Sequence, residues 1–173
     1  MPLLIEQSEP DVKLAFEVHR NANIVKIRLA AANMHAVTDG TSDEKIEVGL
    51  SFHAKQVPAP PDLLRLHVAF KMEGFPESPP RKRKAKVDPT ALVECTYEVD
   101  YKMQQEFTLT PEHVRAFREG NAIFNLWPYF REFLQSHVTA MALPPFVAPL
   151  LRIQPKLPAP TQEPRVRKKT QPQ

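Results

Sequence analysis

Five stretches of this chain alternate apolar and polar residues one for one, and that period of two restricts the fold more than any other feature. Successive side chains of an extended strand point to opposite faces, so such a run buries one face and wets the other. Val12, Leu14, Phe16 and Val18 alternate with Lys13, Ala15, Glu17 and His19; Val25, Ile27 and Leu29 alternate with Lys26 and Arg28. Ile46, Val48, Leu50 and Phe52 form a third run, Leu64, Leu66, Val68, Phe70 and Met72 a fourth, and Ala91, Val93, Cys95, Tyr97, Val99, Tyr101 and Met103 a fifth. A single wet face is the mark of an antiparallel sheet covered on one side, since parallel sheets are covered on both. Turn-forming stretches separate the runs, TDGTSD at 38–43, PAPPD at 58–62 and GFPESPPRKRKAKVDPT at 74–90. Consecutive strands are therefore expected to pair as a meander. The first run is ambiguous: Val12, Ala15, Phe16 and His19 would also share a helix face, but its regular alternation favours a strand over 12–18.

At Thr110 the period changes. Thr110 suits an N-cap and Pro111 the first helical position, where proline has no hydrogen bond to lose, so a short helix is expected to run to Gly120. A longer helix follows over 121–140, kinked or restarted at Pro128. Its apolar residues, Ile123, Phe124, Leu126, Trp127, Tyr129, Phe130, Phe133, Leu134 and Val138, point in too many directions for one stripe against one sheet, so a second packing partner is implied. Beyond Met141, LPPFVAPLLRI is apolar but carries Pro144, Pro145 and Pro149, which forbid helix or central strand. From Gln154 the chain turns to Pro, Gln and basic residues, the composition of a disordered tail. The expected fold class is α+β: an antiparallel meander followed by two C-terminal helices, one domain over 1–153, and a tail over 154–173. A chain of 173 residues is long enough for one such core.

Charge and chemistry narrow the function. Of the 23 Lys and Arg residues, five sit in RKRKAK at 81–86 and four in RVRKK at 165–169, leaving 14 against 20 Asp and Glu. The body is thus acidic, and the basic loop lacks the interleaved aromatics of a nucleic-acid site, so no nucleic-acid partner is expected. Cys95 lies in the apolar register of a strand, a packing position rather than that of a nucleophile. The six histidines, His19, His35, His53, His67, His113 and His137, form no HExxH and no i, i+4 pair, so no metal is expected, and His53 and His67 fall on polar strand faces. With four glycines and neither GxGxxG nor GxxxxGK[ST], no nucleotide cofactor is expected either. With a lone cysteine, no apolar leader and no apolar run of membrane length, the protein is expected in the cytoplasm, without membrane insertion. An enzyme is not expected.

The stretch GNAIFNLWPYFREFLQSHVTAMALPPFVAPLLRI at 120–153 resembles the C-terminal half of the SecB family of export chaperones and its SecB-like relatives. In that family a helix with an FPYxRE-type motif precedes a turn and an LPPL-type extended segment, matched here by Trp127, Pro128, Tyr129, Arg131 and Glu132, then Leu143, Pro144 and Pro145. Tryptophan stands where phenylalanine is usual, the Asn-Phe that commonly follows LPP is missing, the 74–90 loop reads as an insertion, and the tail is basic. The resemblance implies an ATP-independent holdase that binds unfolded clients, preproteins for export or one dedicated antitoxin, with the translocase SecA as a further partner. It also implies a homotetramer, a dimer of dimers, with helix residues Ile123, Trp127, Phe130 and Leu134 at the oligomer interface.

The residues support a binding groove on their own terms. A sheet with one apolar face beside a proline-held apolar segment makes a wall that takes unfolded chains by side-chain burial and strand-like pairing. Leu66, Val68 and Phe70 on the sheet and Leu143, Phe146, Val147, Leu150 and Leu151 on the segment are the expected client-binding residues. The alternative is a nucleic-acid-binding module that uses the 81–86 loop and the basic tail.

Overall fold

In a computed structural model, residues 2–37, 46–76 and 88–156 are described. In chain order the elements are β1 (Leu3–Gln7), α1 (Glu9–Asn21), β2 (Ala22–Ala36), β3 (Ile46–Val57), β4 (Leu63–Pro76), β5 (Ala91–Met103), α2 (Pro111–Glu119), α3 (Asn121–Ala140) and β6 (Leu151–Pro155). The α+β class and the antiparallel sheet stand as read. The turn at 38–43, the basic loop at 81–86 and residues 157–173 of the expected 154–173 tail lie outside the described residues, while Gln154 and Pro155, expected in that tail, belong to β6.

Four antiparallel strands form the main sheet in the order β2-β5-β4-β3. The meander thus holds for β3, β4 and β5, while β2 crosses to the far edge and pairs with β5, Leu29 opposite Tyr97 and Ile27 opposite Val99. The alternating residues of β4 and β5 are the core: Leu64, Leu66, Val68, Phe70, Met72, Val93, Cys95, Val99 and Tyr101 are buried. Packed on them, α3 spans β3, β4 and β5. A helix is only about 10 Å across, whereas four strands spaced about 4.8 Å apart span about 14 Å. The edge strand β2 is accordingly left bare, with Ile24, Val25, Leu29 and Met34 exposed. A register shift between Ile24 and Lys26 also displaces Val25, so the inward side of β2 carries Ile24, Ile27 and Leu29 rather than an unbroken alternation.

The run at 12–18 is helical, not a strand. Ser8 caps it, its hydroxyl accepting from the Asp11 amide at 3.2 Å, and Pro10 and the acidic Glu9 and Asp11 fill the first turn. Its buried residues, Ala15 and Val18, are three apart, the spacing of a helix face. Contacts to α2 fix that face, with Arg115 paired to Asp11 and His113 Nε2 3.0 Å from Glu17. The alternation leaves Phe16 55% exposed, which a strand with a buried apolar face would not.

The outer face of the sheet holds an ion-pair network across three strands. Arg28 on β2 donates to both oxygens of Glu98 on β5, at 2.7 and 3.1 Å, and Arg65 on β4 donates to both oxygens of Asp100, at 2.6 and 2.8 Å. His67, expected as solvated surface, sits 3.1 Å from Glu98. Bidentate arginine bonds hold the Glu98 carboxyl down at about 2, with His67 as the next cause, and the Arg65 bonds hold Asp100 below its ordinary value. Both groups bind protons more weakly folded than unfolded. Their stabilisation is therefore full above the ordinary carboxylate range and is lost as pH falls from about 4.5 toward about 2. The urea midpoint is expected to drop across that window, and Glu98→Gln to flatten the drop; an unchanged acid profile in that variant would show that the network carries no net stability.

Candidate functional site

The two C-terminal helices start and stop where their sequence dictates. Thr110 caps α2 in a capping box with His113, whose Nδ1 accepts from the Thr110 amide at 3.3 Å. Gly120 separates α2 from α3 because Gln7 of β1 lies against its α-carbon: an added Cβ would run into the Gln7 side-chain amide, which donates to the Ala116 carbonyl at 2.8 Å. Pro128 is accommodated inside α3.

The many-sided apolar surface of α3 finds both its partners within the chain. Phe130 stacks on Phe70 of the sheet, ring centres 4.8 Å apart. Trp127 lies against Phe52 of β3, Phe70 of β4 and Phe130, at 6.2, 5.9 and 5.4 Å, while its Nε1 donates to the Pro149 carbonyl at 3.0 Å. Four residues on, Arg131 Nε donates to the Ala148 carbonyl at 3.1 Å. The segment after α3 is thus the second partner. Ile123, Trp127, Phe130 and Leu134, expected at a subunit interface, are all buried inside the protomer.

A sharp reversal launches this segment. Ala142 adopts φ 53, the left-handed conformation usual for glycine, and the Ala142 and Leu143 amides donate to the Thr139 and Val138 carbonyls at 3.1 Å each. That is a Schellman motif, and Leu143 packs against the apolar core beside it. After residues 143–150 the chain becomes β6, which pairs in parallel with β1. This two-stranded sheet was not foreseen; the Leu3 amide donates to the Leu150 carbonyl at 2.8 Å and the Lys156 amide to the Gln7 carbonyl at 2.7 Å.

Exposure over 146–151 repeats every three residues. Val147 and Leu150 are exposed, Phe146 and Pro149 are half-buried, and Ala148 and Leu151 are buried, while before them Leu143 is half-buried and Pro144 and Pro145 are both exposed. That is the period of a polyproline-type chain, which has three residues per turn. Of the expected client wall, Val147 at 68% and Leu150 at 59% exposure form an open apolar ridge. Leu143 and Phe146 instead pack against the core, and Leu151 lies within it. Leu66, Val68 and Phe70 are sealed beneath α3, so they are not open to a client. The expected groove between sheet and segment is filled by α3, and the open surface is the far side of the segment.

A second apolar surface was missed by sequence reasoning. Leu29 of β2 lies opposite Tyr97, whose ring lies 6.2 Å from Tyr129 and whose hydroxyl donates to the Tyr129 carbonyl at 3.1 Å. Burial pushes that hydroxyl above its ordinary range. Leu29 and Tyr129 are each 45% exposed, so an apolar shelf runs from β2 toward α3. The thiol of Cys95 beneath is pushed up to about 12 by burial and is protonated at neutral pH, which denies it nucleophilic chemistry.

No protein-family model and no curated protein sequence matches the chain. Among solved structures it is similar to the SecB-like chaperone Rv1957 of Mycobacterium tuberculosis in complex with a ChAD peptide from the Rv1956 HigA1 antitoxin, at 16% identity and a TM-score of 0.69 over 82% of this chain and 99% of that one. This likeness establishes the fold as SecB-like. A protein of unknown function from Streptococcus agalactiae overlaps at 8% identity and a TM-score of 0.39, over 73% of this chain and 94% of that one, and nothing rests on it.

Proposed function

We propose, from the SecB-like fold, that this protein is a non-catalytic cytoplasmic chaperone that holds non-native polypeptide segments without consuming nucleotide. The observation that carries this reading is the exposed ridge of Val147 and Leu150 on a proline-held segment. Apolar side chains left open on an ordered support bind extended chains by area burial with little sequence demand. The fold neighbour is described with an antitoxin peptide bound, which favours a dedicated antitoxin client beside the broader class of export clients, and SecA is the further partner this reading allows. Stoichiometric protein is expected to slow aggregation of a chemically denatured client in the absence of ATP; unaltered aggregation across several clients would sink the proposal. On the outer sheet face Arg28 and Arg65 are each committed to a carboxylate, which disfavours the nucleic-acid alternative there.

The proposed assembly remains a homotetramer, a dimer of dimers, with its contact moved from α3 to β2. A 15-residue edge strand with exposed Ile24, Val25, Leu29 and Met34 invites pairing, and a second copy would cover it. Light scattering is expected to return about four times the 19.7 kDa of one chain; a mass of one chain at micromolar concentration would refute the assembly.

A further inference from the structure

Resting on that reading, we infer that Trp127 and Arg131 are positioning residues, which set client affinity by fixing the ridge and not by touching the client. A polyproline-type segment makes no hydrogen bonds with itself, so its shape depends on outside partners. Here three successive carbonyls are captured: Ala148 by Arg131, Pro149 by Trp127 and Leu150 by the Leu3 amide, at 3.1, 3.0 and 2.8 Å. The two side-chain donors stand four apart on one face of α3, the spacing that aligns side chains along a helix. They take carbonyls in reverse order, so the segment runs back along the helix that precedes it.

With those carbonyls turned inward, Val147 and Leu150 are presented outward, 68% and 59% exposed. Both donors belong to the run Trp127, Pro128, Tyr129, Arg131, Glu132: Trp127 is 4% exposed, and the half-buried Arg131 has its Nε spent on a carbonyl. A ridge ordered before binding loses little freedom when a client arrives, whereas a released one must be ordered at the client's expense.

The test uses the full-length assembled protein and reduced, carboxymethylated α-lactalbumin as the unfolded probe. Trp127→Phe with Arg131→Met keeps a ring and an aliphatic stem while removing both donors, and Arg131→Met alone leaves the aromatic cluster whole. In the client-free double variant, chymotrypsin cleavage after Phe146 and Leu150 is expected to quicken about tenfold, reporting local release. Probe dissociation constants are expected to rise about tenfold for the double variant and less for Arg131→Met. In Arg131→Met the urea midpoint should fall far less than in Trp127→Ser, and Arg131→Lys, which retains a donor, should recover most of the affinity. Unchanged cleavage would show that the donors do not hold the ridge, and quicker cleavage with unchanged affinity that holding it is irrelevant to binding; either overturns the inference while the chaperone reading stands. A wild-type protein that leaves the probe unbound sinks both.

Discussion

Replacing Trp127 by serine is expected to cost about 3–5 kcal/mol of folding stability, the range for removing a large buried ring. Trp127 is 4% exposed and touches three aromatic rings from two strands and its own helix, and its indole N–H ties α3 to the segment at Pro149. Serine would leave a cavity among Phe52, Phe70 and Phe130 that those rings cannot collapse into without leaving their own partners. It would also leave the Pro149 carbonyl without its donor. Urea unfolding of the variant should show a much lower midpoint at similar slope. A loss under about 1 kcal/mol would mean that the helix and the segment are held by other contacts.

What was legible in the sequence was what short-range patterning determines. Thr110, Pro111 and Gly120 bracket α2 as read, and the alternation over β4 and β5 places the apolar core, while over β3 it marks a face that is only half-buried and on β5 it misses that Glu98 and Asp100 of the opposite face are buried too. The period-two run at 12–18 misled because Leu14 and Phe16 alternate with polar residues by coincidence. The Ser8, Pro10, Asp11 signature that starts a helix lay just upstream of it. The parallel pairing of β1 with β6 joins residues nearly 150 positions apart, and no local pattern in LLIEQ announces such a partner. Its absence from the sequence reading also explains why Ile123, Trp127, Phe130 and Leu134, buried within the protomer, were expected at a subunit contact. The many-sided apolar surface of α3 correctly called for a second partner, but the chain supplies that partner itself, from the segment that β1 and β6 tie down. The unfilled apolar surface moved in consequence to β2, where a bulge at Val25 hides it from a period-two count.

That redistribution decides which substitutions separate binding from folding. Val147→Ser with Leu150→Ser is expected to weaken client binding about thirtyfold to several hundredfold, since burying each side chain against a client is worth roughly 1–2 kcal/mol, about 2–4 kcal/mol for the pair, and about 1.4 kcal/mol is a tenfold change. Stability should barely move, because both side chains are already mostly in water. Adding Leu143→Ser and Phe146→Ser would confound the result. Leu143 seals the Schellman turn and both residues pack on the core, so a Leu143, Phe146, Leu150 triple to serine, which the sequence reading would treat as a clean groove variant, should lose stability as well as affinity. Binding titrations of a fluorescent unfolded client, run beside urea unfolding, distinguish the two sets. If the Val147, Leu150 pair binds as wild type while remaining folded, clients use another surface, and exposed Phe124 and Tyr129 of α3, which the proposed β2 contact does not use, become the next place to cut.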